Sequence, residues 1–150
     1  MYCVDPSRLY FNAYPSVRKV VCKETAARMQ GLIAGYNIPL RFYYQDGDVI
    51  NSFYIKGTKN ANLDNLLIEN QNGIEITSPE QTIYDLLADF DESSLEGIDQ
   101  AICNYYYRNN KTFEKLLLIL GNGEIRKRFD LEKDEALSYY DEWFNNWTNV

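Results

Sequence analysis

The tetrapeptide Ser78-Pro79-Glu80-Gln81 divides the chain into two kinds of sequence. Ser78 suits a helix cap, Pro79 suits the first helical position, and Gln81 completes a capping box. Ile83, Leu86, Leu87 and Phe90 follow at i, i+3, i+4 and i+7, the spacing of one helix face. Before this point the chain consists of short β-branched and aromatic runs broken by turn residues. After it, helical periods succeed one another. Strands followed by consecutive helices predict an α+β fold: a small, mostly antiparallel sheet with one early helix, then a cluster of about four helices.

In the sheet-rich part, about 1–77, the runs Leu9–Phe11 and Val17–Val21 read as short strands on either side of a break at Pro15. Lys23 to Ile33 reads as a helix, with Ala26, Met29, Leu32 and Ile33 on one face and Gly35 as its stop. Leu40–Tyr44 and Val49–Ile55 read as a hairpin about Asp46-Gly47, because Asp and Gly tolerate the positive φ of a type I′ turn. Leu66–Glu69 and Ile74–Thr77 read as a second hairpin about Asn72-Gly73.

In the helical part, about 78–150, Ser93 with Glu96 offers a second capping box. It opens a helix whose face is Ile98, Ala101, Ile102 and Tyr105. Tyr105-Tyr106-Tyr107 cannot all point inward, since consecutive helical residues lie about 100° apart. A helix opened by Asn110 or Thr112 carries Phe113, Leu116, Leu117 and Leu120, and ends at Gly121 and Gly123. The last helix spans roughly Glu132 to Trp147, with Ala136, Tyr140, Trp143, Phe144 and Trp147 on its face. No linker or repeat splits the chain, so a single domain over 1–150 is expected.

Composition excludes several function classes. The 150 residues include no histidine, which removes His-based triads, His general bases and HExxH zinc sites together. Cys3, Cys22 and Cys103 lie far apart without CxxC spacing, which argues against a disulfide framework or zinc knuckle and fits a reducing, cytoplasmic setting. Cys103 falls on an apolar helix face and reads as buried filler. No run of about 18 apolar residues is present, so no membrane partner is expected. The net charge of −7 is uneven: residues 1–60 sum to +4 and residues 61–150 to −11. An acidic chain makes a poor generic nucleic-acid binder.

Candidate sites are few. Asp46-x-Asp48 reads as turn chemistry rather than a metal pair, so no metal and no cofactor are expected. No Glu-x-Lys nuclease triplet and no phosphate-cradling loop occur. Glu80, Asp85 and Asp89 form the one helical carboxylate set that an enzyme reading would need, and no catalytic residue is assigned. Arg18, Lys19, Lys23 and Arg28 flank the first helix. Arg126, Lys127 and Arg128 form the densest basic patch, in what reads as a solvated loop. These seven are the candidate interaction surface.

Two segments go further. Thr25-Ala26-Ala27-Arg28-Met29-Gln30-Gly31-Leu32 and Ile76-Thr77-Ser78-Pro79-Glu80-Gln81-Thr82-Ile83-Tyr84-Asp85-Leu86-Leu87 together resemble the AbiEi family of antitoxins, found in type IV toxin–antitoxin and abortive-infection (phage defence) systems of bacteria. In that family a helix ends in a Gly-Leu pair, usually after His. A β-rich stretch and a Pro-Glu-(Arg/Lys)-Thr-x-x-Asp-Leu-Leu helix follow. Here Gln30 stands for the His and Gln81 for the basic residue.

The resemblance runs from about residue 18 to about residue 120. It implies an antitoxin-type domain, without the winged helix-turn-helix that commonly precedes it, because Met1–Pro15 is too short for a three-helix DNA reader. It also implies a partner, a nucleotidyltransferase-like toxin countered directly or indirectly, and no enzymatic activity. The motif residues Thr25, Gly31, Leu32, Pro79, Glu80, Thr82 and Asp85 read as structural. Thr82 and Asp85, three apart, can meet on one helix face; alternatively Asp85 anchors a strand or loop. A DNA-associated transcriptional regulatory module, acting through a partner or a separate DNA-binding subunit, is the alternative function.

Overall fold

The computed structural model describes residues 14, 16–34, 39–89 and 95–148, with the side chains of 97–138 in the last segment. The expected strand Leu9–Phe11, the break at Pro15, the stop at Gly35, the cap at Ser93 and the aromatic side chains of the last helix lie outside the described residues.

The elements run β1 (Lys19–Val21), α1 (Lys23–Met29), β2 (Leu40–Tyr44), β3 (Ile55–Lys59), a 3-10 turn (Leu63–Asn65), β4 (Ile68–Gln71), β5 (Ile74–Thr77), α2 (Pro79–Ala88), α3 (Leu95–Arg108), α4 (Glu114–Leu120) and α5 (Glu124–Thr148). Among the described residues the fold is α+β: a five-stranded sheet in the order β3-β2-β1-β5-β4, with five helices.

The sheet is mixed, which corrects the mostly antiparallel expectation. β1 runs antiparallel to β2 and parallel to β5; β2 and β3 are parallel; β4 and β5 are antiparallel. The Asn72-Gly73 hairpin forms, with its first strand at Ile68–Gln71 instead of Leu66–Glu69, Gln71 opposite Ile74, and φ of 54° and 84° at the two turn residues. The Asp46-Gly47 hairpin does not form. Gly47 turns the chain at φ 96°, but residues 48–54 then cross over the sheet as a loop instead of returning as a strand.

The reason lies at Gly57. A Cβ there would stand 2.9 Å from Val49 and 3.0 Å from both Phe42 and Tyr44, so Val49 occupies the place of a missing side chain. The loop is then fastened to the strand it precedes. The Gly57 N–H donates to Asn51 Oδ1 at 2.9 Å, and the N–H groups of Tyr54 and Ile55 donate to Ser52 Oγ.

Helix ends also differ from the periodicity. α1 stops at Met29, with Gly31 at φ 70°. Gly31 N–H donates to Arg28 O at 2.9 Å and Leu32 N–H to Ala27 O at 2.7 Å, the paired bonds of a Schellman stop. Leu32 and Ile33 therefore reach the core from the turn. α5 begins at Glu124, so the Glu124–Arg128 stretch is helix and not loop. Ion pairs at i+3 (Glu124 with Lys127) and i+4 (Arg126 with Asp130) run along this first part of α5.

The core has three parts. Ala27, Leu32 and Ile33 pack with Ile83, Leu86 and Leu87 of α2, the α3 face Ile98, Ala101, Ile102 and Tyr105, and Leu116, Leu120, Phe129 and Ala136. α1 also buries Ala26 against Val21, Leu40, Phe42 and Ile76 of the sheet. Val20, Cys22, Tyr43 and Leu63 form the third cluster. Alternation along β1 explains why Val20 and Val21 join different clusters. Tyr105 is buried and Tyr107 is exposed, as consecutive helix positions require. No helix among the described residues is long and apolar enough to cross a membrane.

Candidate functional site

The two motif segments meet. Gln30, just past α1, donates from Nε2 to the carbonyl of Thr77 at 2.6 Å. Its Oε1 accepts from Thr82 Oγ1 at 3.3 Å. Thr82, fully buried, lies 2.7 Å from Thr77 Oγ1, and its one hydroxyl proton is shared between Gln30 Oε1 and Thr77 O, the latter at 3.2 Å. Ser78 Oγ accepts from Gln81 N–H at 3.1 Å, which is one half of the capping box. The other half is absent because the Gln81 side chain is used elsewhere: Oε1 accepts from Leu67 N–H and Nε2 donates to Asp85.

A polar stripe on α3 holds the same joint from the other side. Gln100, Asn104 and Arg108 stand at i, i+4 and i+8. They bond Ala34 N–H at 3.0 Å, Leu32 O at 2.7 Å and Gly31 O at 2.7 Å. Arg108 also donates to Gln30 O. The remaining motif residues serve the same framework. Thr25 Oγ1 accepts from Arg41 N–H at 2.9 Å, tying α1 to β2. Pro79 is the first residue of α2, and Glu80 accepts from the Tyr105 hydroxyl at 3.0 Å. Glu80 also lines a groove of about 410 Å³ between β4 and α4, together with Leu67, Ile68, Lys115, Leu118 and Ile119.

Beside this joint lies a buried ionisable cluster. Asp85 is 6% exposed and accepts from Gln81 Nε2 at 3.0 Å. It does not receive the expected bond from Thr82, whose hydroxyl is turned to Thr77. Burial raises the Asp85 carboxyl to about 6, against the opposing pull of Gln81, the Tyr43 hydroxyl and Lys23. Its Oδ2 is buried without a well-formed hydrogen bond. Tyr43 of β2 stands beside Asp85 of α2 in this cluster.

Lys23 is 7% exposed and adopts φ 53°, a left-handed conformation that costs a non-glycine residue energy. Its Nζ pairs with Asp89 and lies 5.7 Å from the centre of the Tyr43 ring. The Cys22 thiol is fully buried and pushed well up, first by burial and then by Asp85. The Tyr43 hydroxyl is likewise pushed up by burial. A thiol and a phenol so held stay protonated, so this cluster joins elements and carries no ready nucleophile. Glu80 points to Tyr105 while Asp85 and Asp89 stand by Lys23, so the three carboxylates do not converge on one point. Among the described residues no group of three or more Cys, Asp or Glu is arranged to hold a metal ion.

The seven basic candidates are spread over the molecule. Arg18 donates a fork to Glu75 at 2.9 Å and reaches Asp64 at 3.1 Å. Lys19 donates to Tyr14 O at 2.6 Å. Lys23 is buried as described, and Arg28 bonds back to Glu24 O. Arg126 pairs with Asp130, and Arg128 donates to the carbonyls of Leu87 and Ala88, closing the end of α2. Lys127 is the most solvent-directed, with its side chain 72% exposed.

Sequence reasoning missed Tyr43, Arg108 and Asn104. The polar i, i+4, i+8 stripe of α3 was the available signal for the last two. No family model matches this chain, and no curated protein or solved structure matches it either.

Proposed function

We propose that this chain is a non-enzymatic, AbiEi-like antitoxin domain that acts in the cytoplasm against a nucleotidyltransferase-like toxin. One observation carries the reading. The two segments that bear the resemblance, some 45 residues apart in sequence, fold into a single hydrogen-bonded joint from Gln30 to Thr77 and Thr82. Thr82 is a motif residue, and Gln30 meets it from the position where the family usually has His, so the two segments share one junction in this chain. The same residues are spent on structure, which suits a binding or regulatory role better than chemistry.

The test is toxicity rescue. The neighbouring gene is induced in a host cell with and without this chain. Growth arrest that this chain relieves supports the proposal. A harmless neighbour, or no relief by folded protein, overturns it and favours the DNA-associated regulator. That regulator would bind DNA with a steep salt dependence.

A further inference from the structure

A chain without histidine has no side chain whose ordinary titration lies between pH 5 and 8, but a carboxyl group can be moved there by its surroundings. One such group lies away from the joint. Asp99 on α3 faces Glu132 on α5 across the contact of the two helices. Glu132 is 8% exposed, at a position on the Ile125-Phe129-Ala136 side of α5 where an apolar residue would be expected. Among the described residues, Glu132 Oε1 and Asp99 Oδ1 are both buried atoms without a hydrogen-bond partner.

Two ionised carboxylates here would be acceptors facing each other with no donor between them. Glu135 adds a third negative group. The nearby cations of α5 are engaged elsewhere: Arg128 with the carbonyls of Leu87 and Ala88, Lys133 with Asp130 and over the Phe129 ring. A single proton turns two acceptors into a donor and an acceptor. Burial, then Glu132, then Glu135 raise Asp99 to about 7.

We propose that Asp99 and Glu132 share one proton across the α3–α5 contact, and that this proton latches the two helices together. Because the folded-state carboxyl lies above its unfolded value, the stabilisation is fully present at low pH and is lost as pH rises through about 7. Mild acidification closes the latch, and alkaline conditions open the seam of the helical layer.

The test is thermal unfolding of the full chain at pH 5.5 and pH 8, for wild type, Asp99→Asn, Glu132→Gln and Asp85→Asn. An amide is neutral and carries an N–H donor where the shared proton sits. The wild-type midpoint is expected to fall by about 3 °C or more between the two pH values. Asp99→Asn is expected to remove most of the fall that remains in Asp85→Asn, and to unfold no lower than wild type at pH 8.

An undiminished fall in Asp99→Asn overturns the proposal. So does a Glu132-dependent rise in the wild-type midpoint at pH 8 on adding Mg²⁺ or Ca²⁺, which would make the pair a cation site. If the variants do not fold, a carboxyl-carbon NMR titration of the wild type decides. A midpoint for Asp99 near 7 supports the shared proton, and one near 4 overturns it.

Discussion

Gln30 donates its side-chain amide to the carbonyl oxygen of Thr77 at 2.6 Å, joining the stop of α1 to the start of α2. The same amide accepts from Thr82, so one side chain satisfies groups on both sides of the β5–α2 junction. Gln30→Leu keeps the bulk and removes both bonds. It should destabilise the fold by about 1–3 kcal/mol, because the Thr77 carbonyl loses the shorter of its two donors and Thr82 loses an acceptor. Urea unfolding measures this; a loss under about 0.3 kcal/mol would show the joint to be incidental.

Gly31 and Gly73 both have positive φ, but only one is crowded. A Cβ at Gly31 would lie 2.9 Å from the Arg108 guanidinium, whereas at Gly73 it would meet nothing. Gly73→Ala should cost about 1–2 kcal/mol for the left-handed backbone alone. Gly31→Ala should cost about 1 kcal/mol more, because it also displaces Arg108 from the Gly31 carbonyl. Equal losses in denaturant melts would remove Arg108 from the account.

Asp85→Asn tests a buried charge. With its folded value at about 6, Asp85 contributes stability that is present at low pH and lost as pH rises through 6. The Asn variant cannot ionise. It should therefore match or exceed wild type at pH 8, by up to about 2 kcal/mol, and gain nothing at pH 4.5. A variant much less stable at both pH values would mean that the carboxylate is needed charged, against Lys23.

Arg18→Ala should do little. The fork to Glu75 and Asp64 is solvent-exposed, and such pairs contribute about 0–1 kcal/mol. The effect should shrink further in 0.5 M salt. A large, salt-independent loss in thermal melts would show that Arg18 packs rather than pairs.

What was legible in the sequence was local. Asn72-Gly73 and Ser78-Pro79 encode their turn and cap within a few residues; the turn forms, and the Ser78 half of the capping box forms with it. The pairing of β2 with β3 was not legible, because Asp46-Gly47 signals a hairpin while Val49 over Gly57 and the Asn51 bond to Gly57 decide otherwise. The start of α5 was hidden by Glu132, a carboxylate on the inner face that interrupts the apolar period. Lys23 read as a surface cation because nothing in its neighbourhood announces Asp89 and Tyr43. The motif residues read as structural, whereas the α3 stripe that bonds the turn after α1 drew no reading from its sequence.

The position of β1 has a kinetic consequence. This three-residue strand lies at the middle of the sheet, with Val21 opposite Phe42 on one side and Ile76 on the other. Its parallel neighbour is made 55 residues later by the ribosome. A nascent chain ending before β5 holds β1, β2 and β3 with one edge open, and closing that long loop costs entropy before it returns contacts. The sheet is therefore completed only when the segment leading into the helices has emerged.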